Sequence, residues 1–191
     1  DGTGSSRILE AKFEGEVCLP HRGYSCSSHA MPSLKSKLPT FHSFAIKSLE
    51  SIYSQSRLDK ARRYEANTLA SGLFINNGKG RFSFVPLPLI SQSFPVTDIV
   101  VHDFNNDKKP DIFIVGNSSS PQRETGNMDG GVGLLLRGDG FGSFYPVWPN
   151  DSGLVVPGDA RAIALTDLNG DSKLDVVVAV NDAQLRAFKA R

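Results

Sequence analysis

The sequence predicts an all-β chain of four-stranded antiparallel sheets, with a small helical segment near the N-terminal third. Three observations predict it. Two acidic loops repeat: Asp103-Phe-Asn105-Asn-Asp107-Lys-Lys-Pro-Asp111 and Asp167-Leu-Asn169-Gly-Asp171-Ser-Lys-Leu-Asp175 both read D-x-N-x-D-x-x-x-D. Each loop lies between short apolar, β-branched runs, Ile99–Val101 and Ile112–Val115 around the first, Ala162–Leu165 and Val176–Val180 around the second. Such runs bounded by turn residues are strands. A second repeat alternates with the first. Leu73-Phe-Ile-Asn-Asn-Gly78-Lys-Gly80-Arg-Phe82-Ser-Phe-Val-Pro86 matches Leu134-Leu-Leu-Arg-Gly-Asp-Gly140-Phe-Gly142-Ser-Phe144-Tyr-Pro-Val147, each a hairpin turning on glycines.

In chain order the unit is strand, acidic loop, strand, linker, strand, glycine turn, strand. Residues 97–148 make one complete unit, 72–87 supply the last two strands of a preceding one, and 161–189 the first three strands of a following one. Repeated four-stranded antiparallel sheets at this period imply a partial β-propeller, with blades spanning 67–191. One full and two partial blades cannot close a ring, so further blades lie outside this chain or the piece is an open arc. Both ends, Asp1 without a methionine and Arg191 directly after a strand, look cut from a longer protein.

The residues before the blades have another texture. Over 41–66, Phe41, Phe44, Ala45, Leu49, Ile52 and Tyr53 fall near helical spacing, and Ser56 with Asp59 resembles a capping pair opening a second short helix. Lys60, Arg62 and Arg63 read as a solvated helix face. Residues 1–40, rich in Ser, Pro and Gly, are expected to be loops or one stray strand. Cys18 and Cys26 lie close enough for a short disulfide loop, and the spacing is equally compatible with two thiols.

Composition is that of an ordinary globular chain, with 39% hydrophobic and 21% charged residues. A formal charge of +1 gives no electrostatic case for nucleic acid. No apolar run approaches a membrane span.

The acidic loops carry the chemistry. Alternating hard oxygen donors along a tight turn suit Ca²⁺, which gathers six to eight oxygens. The candidate ligands are Asp103, Asn105, Asp107, the Lys109 carbonyl and Asp111 at a first site, and Asp167, Asn169, Asp171, the Lys173 carbonyl and Asp175 at a second. An EF-hand shares the first half of this spacing but needs a Glu at position twelve, and that place is taken by Ile114 and Val178. The competing reading is a solvated Asp/Asn-rich hairpin with no ion. The first loop has Asn106 where a glycine is usual.

Catalytic constellations are scarce. His21, His29, His42 and His102 are scattered, and no H-x-x-x-H pair or G-x-S-x-G elbow occurs. Glu124 and Asp129 are the one carboxylate pair outside the ion loops. Arg137-Gly138-Asp139 spells a short adhesion peptide but falls in the hairpin turn, where Gly and Asp are expected anyway.

Together the acidic loop, the strand after it and the Gly-x-Gly-x-Phe hairpin resemble the FG-GAP or VCBS repeats of integrin-α-type propellers. Tyr64-Glu-Ala-Asn67-Thr, Glu124-Thr-Gly-Asn-Met-Asp129 and Pro157-Gly-Asp159-Ala160 extend the likeness to the C-terminal part of large bacterial VCBS-repeat proteins related to the cartilage acidic protein family. It covers roughly 30–191. The resemblance implies an exported, periplasmic or surface-attached, non-catalytic propeller whose two Ca²⁺ ions brace the blades and whose loops meet a protein or glycan. A fragment of a propeller-type polysaccharide lyase or hydrolase is the alternative. Two departures stand out: Lys108-Lys109 replaces the glycine-containing middle of the first loop, and the hairpin at 72–88 has no acidic loop before it.

Overall fold

The structure is a computed structural model that describes residues 7–121 and 125–190. The chain divides into two compact units, Asp1–Ala66 and Asn67–Arg191.

In the first unit, helices fall within 41–66 as their spacing suggests, but residues 7–40 are not the loops or single stray strand that their Ser/Pro/Gly content suggests. The unit opens with a hairpin, β1 (Ala11–Glu14) and β2 (Val17–Pro20), followed by five short helices: α1 (Tyr24–Ala30), α2 (Ser33–Lys37), α3 (Phe41–Ala45), α4 (Leu49–Tyr53) and α5 (Gln55–Leu58). Local propensity misled because these helices last barely a turn or two, and short helices are held by packing more than by propensity. Met31, Leu34, Leu38, Phe44 and Ile52 form their buried cluster. Helix α3 starts at Thr40, whose hydroxyl accepts from the Ser43 N–H while the Ser43 hydroxyl accepts from the Thr40 N–H. The expected cap at Ser56 is displaced: Ser56 lies inside α5, and Asp59 instead accepts from the Gln55 amide at 2.6 Å. Cys18 on β2 and Cys26 in α1 are both half-buried and carry thiols rather than a bridge.

The second unit is β throughout, apart from a 3-10 turn at Leu89–Gln92 and one helical turn, α6 (Pro149–Ser152). Its strands are β3 (Gly72–Asn76), β4 (Phe82–Pro86), β5 (Val96–His102), β6 (Asp111–Gly116), β7 (Leu134–Gly138), β8 (Phe144–Val147), β9 (Ala160–Thr166), β10 (Asp175–Val180) and β11 (Arg186–Phe188). Pairing is antiparallel everywhere. The order β5-β6-β7-β8 gives a four-stranded meander, β9-β10-β11 a three-stranded sheet, and β3-β4 a lone hairpin. Among the described residues these sheets do not close a ring.

Strand β6 explains how the sheets stack. All six of its residues are buried, as expected of a strand covered on both faces. Because side chains alternate, Phe113 and Val115 join the cluster that holds Val156, Val176, Val178 and Val180. Ile112 and Ile114 join the opposite cluster, with Leu87, Phe94, Leu134 and Leu136. The four-stranded sheet is therefore the middle layer of this unit.

Polar ties fix the layers. Thr97 donates its hydroxyl to the Ala160 carbonyl at 2.5 Å, and the Ile163 N–H donates to Asp98 Oδ2 at 2.6 Å, joining β5 to β9. The Asn117 amide donates to the carbonyls of Gly131 and Gly158, and its oxygen accepts from the Gly131 N–H. With its donors and acceptor all in use, burying Asn117 carries little desolvation penalty.

Candidate functional site

Both acidic loops join paired strands. His102 faces Asp111 across the first pair and Thr166 faces Asp175 across the second, so the two loops close on the same register. Their backbones also agree: Asn106 and Lys108 take φ of 60° and 66°, and Gly170 and Ser172 take 79° and 64°. The loop thus needs left-handed backbone at its fourth and sixth positions. Only one of these four residues is a glycine, so side-chain hydrogen bonds must hold the other three there.

Those bonds share one pattern in both copies, and the second copy adds two more to its first aspartate. In the first, Asp103 accepts from the N–H groups of Asp107 (3.0 Å) and Lys108 (2.7 Å). Asn105 Oδ1 accepts from the Asp107 N–H, and Asp107 Oδ1 from the Lys109 N–H, both at 2.9 Å. In the second, Asp167 accepts from Asn169, Gly170, Asp171 and Ser172, Asn169 from Asp171, and Asp171 from Lys173. The amide of Asn105 also donates to Asp107 Oδ2, as Asn169 does to Asp171 Oδ2. The residues at positions one, three and five are therefore brought together in both loops.

The ninth position behaves differently. Asp111 and Asp175 are each 1% exposed. Asp111 accepts from the Phe104 N–H at 3.1 Å and, with its other oxygen, from the Gly138 N–H at 2.9 Å. Asp175 does the same with Leu168 (3.0 Å) and Ala190 (2.8 Å). Each carboxylate clasps the start of its own loop to the segment beside it, a contact that the sequence pattern does not reveal. The Gly138 Cα comes so close to the loop foot that an added Cβ would stand 2.1 Å from the Pro110 carbonyl oxygen.

Electrostatics within the second loop favour ionised carboxylates. The Ser172 N–H first, then those of Gly170, Asn169 and Asp171, hold the Asp167 carboxyl below its ordinary value. The Lys173 N–H does so for Asp171, helped by Asn169 and Lys189 and opposed by the Asp167 charge. Lys189 Nζ lies 3.6 Å from Asp171 Oδ2.

The donor set consists of hard oxygens and fits Ca²⁺ in its chemistry. Among the described residues, however, no group of three or more His, Cys, Asp or Glu side chains is arranged so that it could hold a metal ion. At the ninth position both carboxylate oxygens accept backbone N–H groups, as those of Asp103 and Asp167 do at the first. Ile114 and Val178, at position twelve, are buried strand residues.

The remaining candidates separate cleanly. Asp129 is exposed, and Glu124 lies outside the described residues. His102 packs edge-on to Phe104 at 5.3 Å. In Arg137-Gly138-Asp139 the Asp139 carboxylate turns inward and accepts from Phe141 at 2.6 Å and Ser143 at 3.1 Å, which keeps it ionised below the usual range. Asp159, directly before β9, is 3% exposed. Burial pushes its carboxyl up, but hydrogen bonds from Arg161 (2.7 Å) and Ser119 (3.0 Å) outweigh this and leave it below the ordinary value. Among the described residues, no helix is long and apolar enough to cross a membrane.

No curated protein and no solved structure matches the chain. A family match does exist, and its limits follow the architecture: it starts before β3, runs through the β3–β4 hairpin, β5 and the first acidic loop, and ends within β6. Residues 65–114 match the FG-GAP-like repeat.

Proposed function

We propose that the chain is part of a non-catalytic, Ca²⁺-stabilised propeller scaffold, of the VCBS-repeat kind related to cartilage acidic proteins, displayed outside the cell to a protein or glycan partner. The observation that carries this reading is that the second loop repeats the acceptor positions of the first, at one, three and five, at equivalent places on two sheets. Asp103, Asn105, Asp107 and the Lys109 carbonyl would hold one ion, and Asp167, Asn169, Asp171 and the Lys173 carbonyl the other. Each carboxylate oxygen can accept more than one hydrogen bond, so lone pairs remain beyond those given to N–H groups. Asp111 and Asp175 keep the floor of each loop in place. Bound Ca²⁺ supplies the positive charge that offsets the mutual repulsion of these carboxylates.

Sites of this kind in extracellular modules bind at about 10⁻⁴–10⁻³ M. At a dissociation constant of about 1 mM and roughly 10 mM Ca²⁺, each site adds about 1.4 kcal/mol to stability by mass action. The test is thermal unfolding with and without a chelator. Removing Ca²⁺ lowers the unfolding temperature by several degrees, and replacing Asp103 and Asp167 with Ala abolishes that difference. An identical melting curve in Ca²⁺ and chelator counts against the sites.

A further inference from the structure

We infer that Arg62-Arg63 is a processing site at which an endoprotease selective for paired basic residues cuts the native chain between Arg63 and Tyr64. Three observations place it there. Asp59 to Ala70 is a run of consecutively exposed residues, and 62–69 adopt no regular structure. After the Ala61 N–H bonds to Leu58, none of the backbone–backbone hydrogen bonds among the described residues involves 62–70; the next tie is the Ser71 N–H to Gln92 Oε1 at 2.7 Å. A protease must take several residues in extended form, so a stretch with no backbone bonds to break needs no local unfolding before it is cut.

The third observation is the side chains. Arg63 is 70% exposed and, among the described residues, pairs with Glu65, two residues along the same open stretch. Arg62 makes a long contact of 3.4 Å to the Tyr64 hydroxyl. Exposed ion pairs of this kind hold a side chain by well under about 1 kcal/mol, so both guanidiniums are available to acidic subsites. The other basic pair, Lys108-Lys109, and the single Arg22 are worse substrates. Lys108 and Lys109 sit in a loop whose N–H groups are bound by Asp103 and Asp107, with Pro110 following directly. Arg22 is held twice by Glu10. In the reaction, water adds across the Arg63–Tyr64 amide, leaving a carboxylate on Arg63 and a free α-amine on Tyr64.

The experiment treats the native full chain with limiting endoprotease of paired-basic specificity, and in parallel with trypsin, and identifies the first products by mass spectrometry. The expected first products end at Arg63 and begin at Tyr64, and the double variant Arg62→Gln, Arg63→Gln slows their appearance at least tenfold. Circular dichroism and the melting temperature of that variant match the parent, since neither side chain is packed. A first cut in the acidic loops, in the β3–β4 turn or in the first hairpin overturns the inference. So does cleavage at 63 that proceeds unchanged in the double variant.

Discussion

At the residue scale, the ninth-position aspartates are the most constrained groups in the molecule. Asp111 has no neutral substitute, because an amide nitrogen in place of either oxygen would confront a backbone N–H with another donor. Asp111→Asn is expected to lower stability by about 1–3 kcal/mol, read from denaturant unfolding, while the near-isosteric change leaves the sheet's circular dichroism intact. Lys108 presents the opposite case. Its φ of 66° places a long side chain in left-handed backbone, and glycine relieves that at some cost in chain entropy. Lys108→Gly is expected to raise the unfolding temperature slightly, by up to about 1 kcal/mol in stability. Asp139 gives a pH signature. Its carboxyl lies below the ordinary value of 3.8 in the folded state, so its contribution is present above that value and fades as pH falls through the lower folded value. Melting temperatures should therefore be flat from roughly pH 7 to 5 and fall only below about pH 4, with the fall reduced in Asp139→Asn.

At the element scale, Gly138 is where β7 meets the foot of the first acidic loop. Its N–H serves Asp111 and its missing side chain leaves room for the Pro110 carbonyl. Gly138→Ala must move one backbone against the other, and about 1–3 kcal/mol of destabilisation is expected, measurable by urea unfolding. This contact also shows where the sequence could be read and where it could not. The strands were legible because β-branched runs lie between glycine and acidic turns. The loops were legible because oxygen donors alternate with strand-flanking spacing. The clasp was not, because which N–H meets Asp111 depends on the register of β7, and register across a long linker is set by packing rather than by a tight turn. The hairpin and the first two helices of the leading unit were missed for a related reason: Met31, Leu34 and Leu38 make a helix pair only once Phe44 and Ile52 cover them.

On the scale of the whole chain, the FG-GAP-like match and the sheets are out of phase. The match runs from the β3–β4 hairpin into β6, whereas the hydrogen-bonded sheet runs from β5 to β8. A repeat whose sequence unit crosses from one sheet to the next links neighbouring layers covalently. Asn117, Thr97 and Asp98 then link them through hydrogen bonds. The β3–β4 hairpin marks where the arrangement is incomplete. Phe74 is 70% exposed, whereas its counterpart Leu136 in the equivalent hairpin is buried by β6 and its cluster. A two-stranded hairpin is marginal by itself, so β3 and β4 are expected to exchange their amide hydrogens before the strands of the four-stranded sheet.

The most direct test of the Ca²⁺ account is isothermal titration of the native chain with Ca²⁺ in metal-free buffer. The account predicts two ions bound per chain at sub-millimolar to millimolar affinity, falling to one in Asp103→Ala and one in Asp167→Ala. Saturation with no heat beyond dilution, or binding that both variants leave at full stoichiometry, would contradict it.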